Sequence, residues 1–265
     1  MRRAGSDRPS AGVVLLAVLL LALPTLVLAQ GPLGGLRRGM QSQALLREGR
    51  VLYEAGNYMA ARDRLAEAIT LDESNDEANA LLGWSHYRVG DYRAAAIVFK
   101  TVLRRQPSWE GLYDGLGWSR FRLGRYHLAI EAFQAALDLA PDHSDALIGM
   151  GGALFELGRY EGAIPPLERG LRGMKTAVGK EALEAPAARA RLAWSLYYAG
   201  RPVEALGAFE RALRAAPRGA GLYNGIGWCQ LKLGDRQRAR AAFERALALQ
   251  PGYDDAVEGL RQARG

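Results

Sequence analysis

Apolar residues in the stretch 110–143 return every three or four positions on both sides of Gly124. That spacing predicts two amphipathic α-helices, one ending just before Gly124 and one starting just after it. A glycine past a helix end tolerates the left-handed backbone needed there, and Pro141 follows the second helix, which it cannot continue. Gly117 and Ala129 fall where two tightly packed helices touch, and their small side chains let the backbones approach.

The same signals recur along the chain. Gly56, Gly90, Gly124 and Gly158 are each 34 residues apart, as are Gly200 and Gly234, whereas Gly158 and Gly200 are 42 apart, so eight residues are inserted between them. An alanine stands five residues after each of these glycines: Ala61, Ala95, Ala129, Ala163, Ala205 and Ala239. Tyr58, Tyr92, Tyr126 and Tyr160 follow the first four glycines by two residues, and Pro107, Pro141, Pro217 and Pro251 keep the same phase. A fixed period of this size predicts a solenoid of small units, none able to bury its apolar face alone.

These residues resemble the tetratricopeptide repeat (TPR) family, whose 34-residue unit is a helix–turn–helix. The family pattern places Leu-Gly at unit positions 7 and 8, glycine at 15, tyrosine at 17, alanine at 20, an aromatic at 24, alanine at 27 and proline at 32. Units one to four then cover 42–177, residues 178–185 are an insertion, units five and six cover 186–253, and 254–265 form a capping helix. The resemblance implies an all-α, right-handed superhelical solenoid. Departures include Glu48 for leucine in the first unit, Gly170 for alanine in the fourth, and Pro202 and Arg236 for tyrosine in the fifth and sixth.

A longer period overlies the first. Trp84, Pro107, Tyr113, Trp118, Pro141, Asp145 and Ala146 recur 110 residues later as Trp194, Pro217, Tyr223, Trp228, Pro251, Asp255 and Ala256. The stretch 172–185 between the two halves is expected to link two half-arrays through a weak junction.

Tryptophan, which the family pattern puts at unit position 4, stands here at position 9, as Trp84, Trp118, Trp194 and Trp228. At about 100° per residue, positions 2, 5, 9 and 12 share a face of the first helix lying away from positions 4, 7, 8 and 11. In TPR proteins that face lines a concave groove, and the resemblance implies the same here. The candidate groove therefore comprises Trp84, Trp118, Trp194 and Trp228, the position-12 rings Tyr87, Phe121 and Tyr197, and a position-13 rim of Arg88, Arg122 and Lys232. The alternative is that these rings only pack first helix against first helix.

The amino terminus is of another kind. Arg2, Arg3 and Arg8 precede an unbroken apolar run from Val13 to Leu23, and Ala29 closes a small-residue site. Eleven residues are too few to span a bilayer but suit a signal peptide. Residues 1–29 are thus expected to be a signal peptide cut after Ala29, followed by a linker over 30–41, and the protein to be periplasmic or extracellular. The alternative is an uncleaved membrane anchor over residues 12–28.

Composition narrows the chemistry. One cysteine, Cys229, excludes an intramolecular disulfide, and three histidines (His86, His127, His143) show no metal-ligand spacing. Phosphate-loop, nucleophile-elbow and paired-histidine motifs are absent from the sequence. The expectation is a non-enzyme without metal or cofactor. The net charge of +7 suits an acidic partner, but the excess of arginine over lysine reflects GC-rich coding, and no nucleic-acid partner is expected. The reading is an exported scaffold that binds a peptide or partner protein in its concave groove. The alternative is a carbohydrate-binding or polysaccharide-export accessory protein, since aromatic rings stack on sugars.

Overall fold

Glycine punctuates the structure as the period predicts. In the computed structural model, which describes residues 32–176 and 185–265, Gly56, Gly90, Gly124, Gly158, Gly200 and Gly234 all have positive φ, between 72° and 89°. At Gly124 the amide donates to Phe121 O (2.9 Å) and the next amide, Arg125 N, donates to Arg120 O (2.9 Å). This pair of bonds closes the helix end and turns the chain back.

Among the described residues there are thirteen helices and no strand: α1 (Pro32–Glu54), α2 (Tyr58–Leu71), α3 (Asp76–Arg88), α4 (Tyr92–Leu103), α5 (Glu110–Arg122), α6 (Tyr126–Leu139), α7 (Ser144–Glu156), α8 (Tyr160–Thr176), α9 (Ala185–Tyr198), α10 (Pro202–Ala215), α11 (Ala220–Lys232), α12 (Arg236–Leu249) and α13 (Asp254–Arg264). Starts are capped by side chains that accept an otherwise unpaired amide: Asn57, Asn75, Asp91 and Asp235, and at α7 the Nδ1 of His143, 3.2 Å from Ala146 N. His143 thus has a structural task that the sequence pattern did not assign.

The chain forms two compact units, one up to Val89 and one from Gly90 onward. In the first, α1 packs on α2 and α3 around Leu46, Ala61, Leu65, Ala68 and Ala78. In the second, each helix from α4 to α13 packs on the next. There the first helices of neighbouring repeats (α5, α7, α9, α11, then α13) also touch one another, while no such contact joins their second helices among the described residues. The stack from Gly90 onward therefore curves with its first helices on the concave side.

A repeated rivet explains the glycine and aromatic positions. Phe133 of α6 is fully buried between Gly117 and Gly149, where an added Cβ would come within 2.6 and 2.2 Å of its ring. Phe243 sits likewise between Gly227 and Gly259. The position-24 ring thus ties its own first helix to the next one, so neither glycine can carry a side chain.

Two expected boundaries differ. Residues 32–41, expected as part of a linker, continue α1, because Pro32 begins the helix where its missing N–H costs nothing and no breaker follows before Glu54. The expected weak junction at 172–185 is not where the compact units divide. Within the second unit α9 packs on both α8 and α7 across the insertion, burying Ala188, Leu192, Ala193 and Leu196. The extra residues lengthen the connection without removing the interface. Residues 178–184 of the insertion, and the signal-peptide and anchor segments, lie outside the described residues. No described helix is long and apolar enough to cross a membrane. The carboxy-terminal helix α13 packs on α12 and α11.

Candidate functional site

The face of the first helices that carries positions 5, 9 and 12 is built from rings in contact. Each position-9 indole in the second unit packs edge-on against the position-24 phenylalanine of its own repeat: Trp118 on Phe133 (5.4 Å), Trp194 on Phe209 (5.0 Å) and Trp228 on Phe243 (5.4 Å). Position 12 packs on the position-17 tyrosine, as in Phe121 on Tyr126 and Phe155 on Tyr160, both 5.5 Å, and, in the first unit, Tyr53 on Tyr58 at 5.2 Å. Every ring thus has one edge in the core, and what it offers solvent depends on its neighbours.

Those neighbours differ along the chain. Trp118 is 6% exposed and Phe121 is buried beneath the Arg191 guanidinium, 5.3 Å from its ring. Trp118 and Phe121, expected on the groove floor, are core residues, with Phe121 covered by Arg191 of the later helix α9. Trp194, Tyr197 and Trp228 stay half-buried, as do Trp84 and Tyr87 in the first unit, where these two rings meet edge-on at 5.7 Å.

The expected cationic rim is also rearranged. Arg88 lies over the Tyr58 ring at 4.4 Å and hydrogen-bonds its hydroxyl, and Arg122 lies over Tyr92 at 5.1 Å with a 2.8 Å bond to that hydroxyl. Lys232 sits 5.0 Å over the ring of Tyr197. These cations staple one repeat to the preceding one, because position 13 faces the tyrosine of the repeat before it rather than open solvent.

An exposed aromatic surface is centred on a residue outside the expected set. Tyr198, at position 13 of the fifth repeat, is 51% exposed and stacks between Tyr160 (4.6 Å, 28°) and Trp194 (5.6 Å, 23°). With Tyr197 edge-on at 5.4 Å, the four rings form a ledge joining α8 and α9. Partial burial raises the phenol pKa values of Tyr197 and Tyr198, so both stay neutral donors at physiological pH. The doublet Tyr197-Tyr198, where Arg88, Arg122 and Lys232 occupy position 13 elsewhere, was the available sequence signal.

Two polar positions accompany the rings. Asn224 of α11 is fully buried and donates to Asp255 (2.6 Å), which also accepts from Trp228 Nε1 (3.1 Å). At the equivalent place in α5 stands Asp114, 4% exposed, whose carboxyl accepts from the Trp118 indole. Burial first, and then the neighbouring Asp145 charge, raise the Asp114 pKa well above the usual carboxylate range. Burial likewise pushes the Cys229 thiol up to about 12, which makes it an inert core residue.

A second concavity, of about 510 Å³, lies where the last turns of α8 and α10 meet the start of α9. Arg172, Arg189, Arg211 and Arg214 surround an apolar floor that includes Leu171 and Leu192, with Glu168 as the one acid. No periodicity brings these arginines together in sequence, since three helices supply them. Among the described residues, no group of three or more His, Cys, Asp or Glu side chains converges as a metal site requires.

The tetratricopeptide repeat profile matches residues 46–109, 115–176 and 190–257, well over half of the chain. The chain belongs to the tetratricopeptide repeat family. The TPR stack is similar to YrrB, described as a TPR protein with an unusual peptide-binding site, at 20% identity and a TM-score of 0.64, covering 74% of this chain and 97% of that one. It is similar to pilF of Pseudomonas aeruginosa at 19% identity and a TM-score of 0.68, covering 86% and 99%. It also resembles a chain of the APC/C hetero-tetramer Cut9–Hcn1 at 19% identity and a TM-score of 0.67, covering 93% of this chain and 46% of that one. At these identities the likeness establishes the TPR fold. No curated protein sequence matches the chain. TPR domains are in general non-catalytic scaffolds for protein or peptide partners.

Proposed function

We propose that the protein is an exported scaffold that holds an extended segment of a partner protein along the concave layer of α5, α7, α9, α11 and α13. The observation that carries this reading is the stack of Trp194, Tyr197 and the exposed Tyr198 on α9 of that layer, joined to Tyr160 of α8. Rigid aromatic rings concentrate binding energy because they bury much area at little entropic cost. Export rests on the basic start, the eleven-residue apolar run and Ala29.

The test compares wild-type and Tyr198→Ala protein as baits for the envelope fraction of the native host, with glycan arrays in parallel. Tyr198 is half-exposed, so the variant should keep its circular dichroism and thermal midpoint within a few degrees. Loss of a partner protein captured by the wild type supports the scaffold. Equal capture by both baits counts against the ledge, and retention on a glycan array that Tyr198→Ala loses favours the carbohydrate reading. Export predicts a mature chain beginning at Gln30; an intact Met1 on membrane-associated protein favours an anchor over residues 12–28.

A further inference from the structure

Among the described residues, grooves of one kind recur on the second-helix side of the stack from Gly90 onward. Each is framed by the second helices of two successive repeats and floored by positions 4 and 7 of the first helix between them. Between α4 and α6 position 4 is Tyr113, and between α6 and α8 it is Leu147; these side chains fill the gap and leave grooves of about 320 and 330 Å³. Between α8 and α10 position 4 is Arg189, and the groove widens to about 510 Å³. A guanidinium group keeps its head off an apolar floor, so Arg189 joins the rim instead of filling the gap.

The charge of this wider groove is unbalanced. Glu168, the one acid lining it, pairs with Arg172 at 3.9 Å. Arg189, Arg211 and Arg214 have no acidic partner among the described residues. Arg214 lies in the last turn of α10, where a cation complements the helix dipole. Arg189 has no such reason, since it stands near the amino end of α9, the positive end of that dipole. Beneath the three guanidinium groups lie Leu192 and Ala208, both buried, and the half-buried Leu171. Donors that pair with carboxylate or phosphate thus stand over an apolar floor.

We propose that the groove between α8 and α10 binds a small amphipathic anion, a carboxylate or phosphate carried on an apolar body. The head lies among Arg189, Arg211 and Arg214, and the body covers Leu171, Leu192 and Ala208. The volume falls within the range of about 300–1,000 Å³ typical of small-ligand sites, whereas a docked helix needs anchors repeated along a longer groove. The site is separate from the partner-holding layer: at about 100° per residue, Arg189 and Leu192 lie on the side of α9 away from Trp194 and Tyr198.

The experiment titrates the purified protein by calorimetry with octanoate, octyl phosphate and the uncharged octanamide, and with acetate and inorganic phosphate as heads without a body. At least one octyl anion is expected to bind about tenfold or more tighter than octanamide and than its own head alone, the scale of one charge-assisted contact. Its affinity should fall as salt rises. Octanoate ahead of octyl phosphate assigns a carboxylate ligand, and the reverse order a phosphate. Arg189→Leu, which restores the filling that Leu147 gives the preceding groove, should weaken the octyl anion by about tenfold or more and keep the thermal midpoint within a few degrees. Arg211→Gln, at an exposed site on α10, leaves the floor intact and should weaken binding in the same direction. Binding of neither anion, equal affinity for octanamide or for the bare heads, or affinity unchanged in both variants overturns the proposal. None of these outcomes bears on the Tyr198 ledge, which the partner-capture test addresses by itself.

Discussion

Trp118→Ala separates a core ring from a surface ring at one repeat position. The indole is 6% exposed, packs at 5.4 Å against Phe133 and 5.6 Å against Phe121, and donates to buried Asp114. A tryptophan buries about 150–250 Å², which at about 25 cal/mol per Å² corresponds to about 4–6 kcal/mol of transfer free energy. Alanine retains its Cβ and the surroundings relax in part, so the expected loss is about 3–5 kcal/mol. Losing the indole donor strips Asp114 of its hydrogen bond and adds about 1 kcal/mol. Trp194→Ala, at the same position of a later repeat but half-buried, should cost about half as much by the same area rule. Urea unfolding followed by far-UV circular dichroism measures both, with the slopes compared to detect partial unfolding of the stack. A Trp118→Ala loss below about 1 kcal/mol, or one equal to that of Trp194→Ala, would refute the core assignment.

Gly149→Ala places a Cβ 2.2 Å from the Phe133 ring and should cost about 1–3 kcal/mol in the same unfolding assay, whereas Gly162→Ala, on α8 with nothing within 4 Å, should gain about 0.5–1 kcal/mol. Cys229, buried and with its thiol pushed up to about 12, should resist a thiol reagent in the native state at pH 8 and react once unfolded. Asp114 binds its proton more tightly folded than unfolded, so its contribution to stability is complete below about pH 4 and is lost as pH rises through its raised folded value. Asp114→Asn should therefore match the wild type in acid and exceed it at neutral pH; a gap that widens towards acid would contradict this.

The 34-residue period made most of the fold legible in advance, because each part of the repeat answers a local requirement. A residue with positive φ must end each first helix, as Gly124 does, and a small residue must lie under each position-24 ring, as Gly117 does under Phe133. Such requirements act within a few residues or between adjacent helices, so they leave a mark at fixed spacing. The continuation of α1 through residues 32–41 left none, since no repeat signal precedes it and Leu36 and Met40 stay exposed.

The site was legible as a set of residues but not as a surface. The segments 111–118 and 221–228 are nearly the same, yet Trp118 is core while Trp228 is half-buried and bonded to Asp255. Their intrinsic preferences are equal; what differs is what packs over them, with α7 and α9 forming the first-helix layer beyond α5 and only α13 covering that layer beyond Trp228. Position 13 shows the same limit. Whether Arg122 faces a ligand or clamps the Tyr92 ring depends on the separation of two repeats, set by packing over 30 residues of sequence. Sequence alone thus determined the repeat, its turns and its rivets, which are local matters of backbone and size. Tertiary stacking decided which rings and charges are left to meet a partner, because exposure belongs to the assembled layer and to no single repeat.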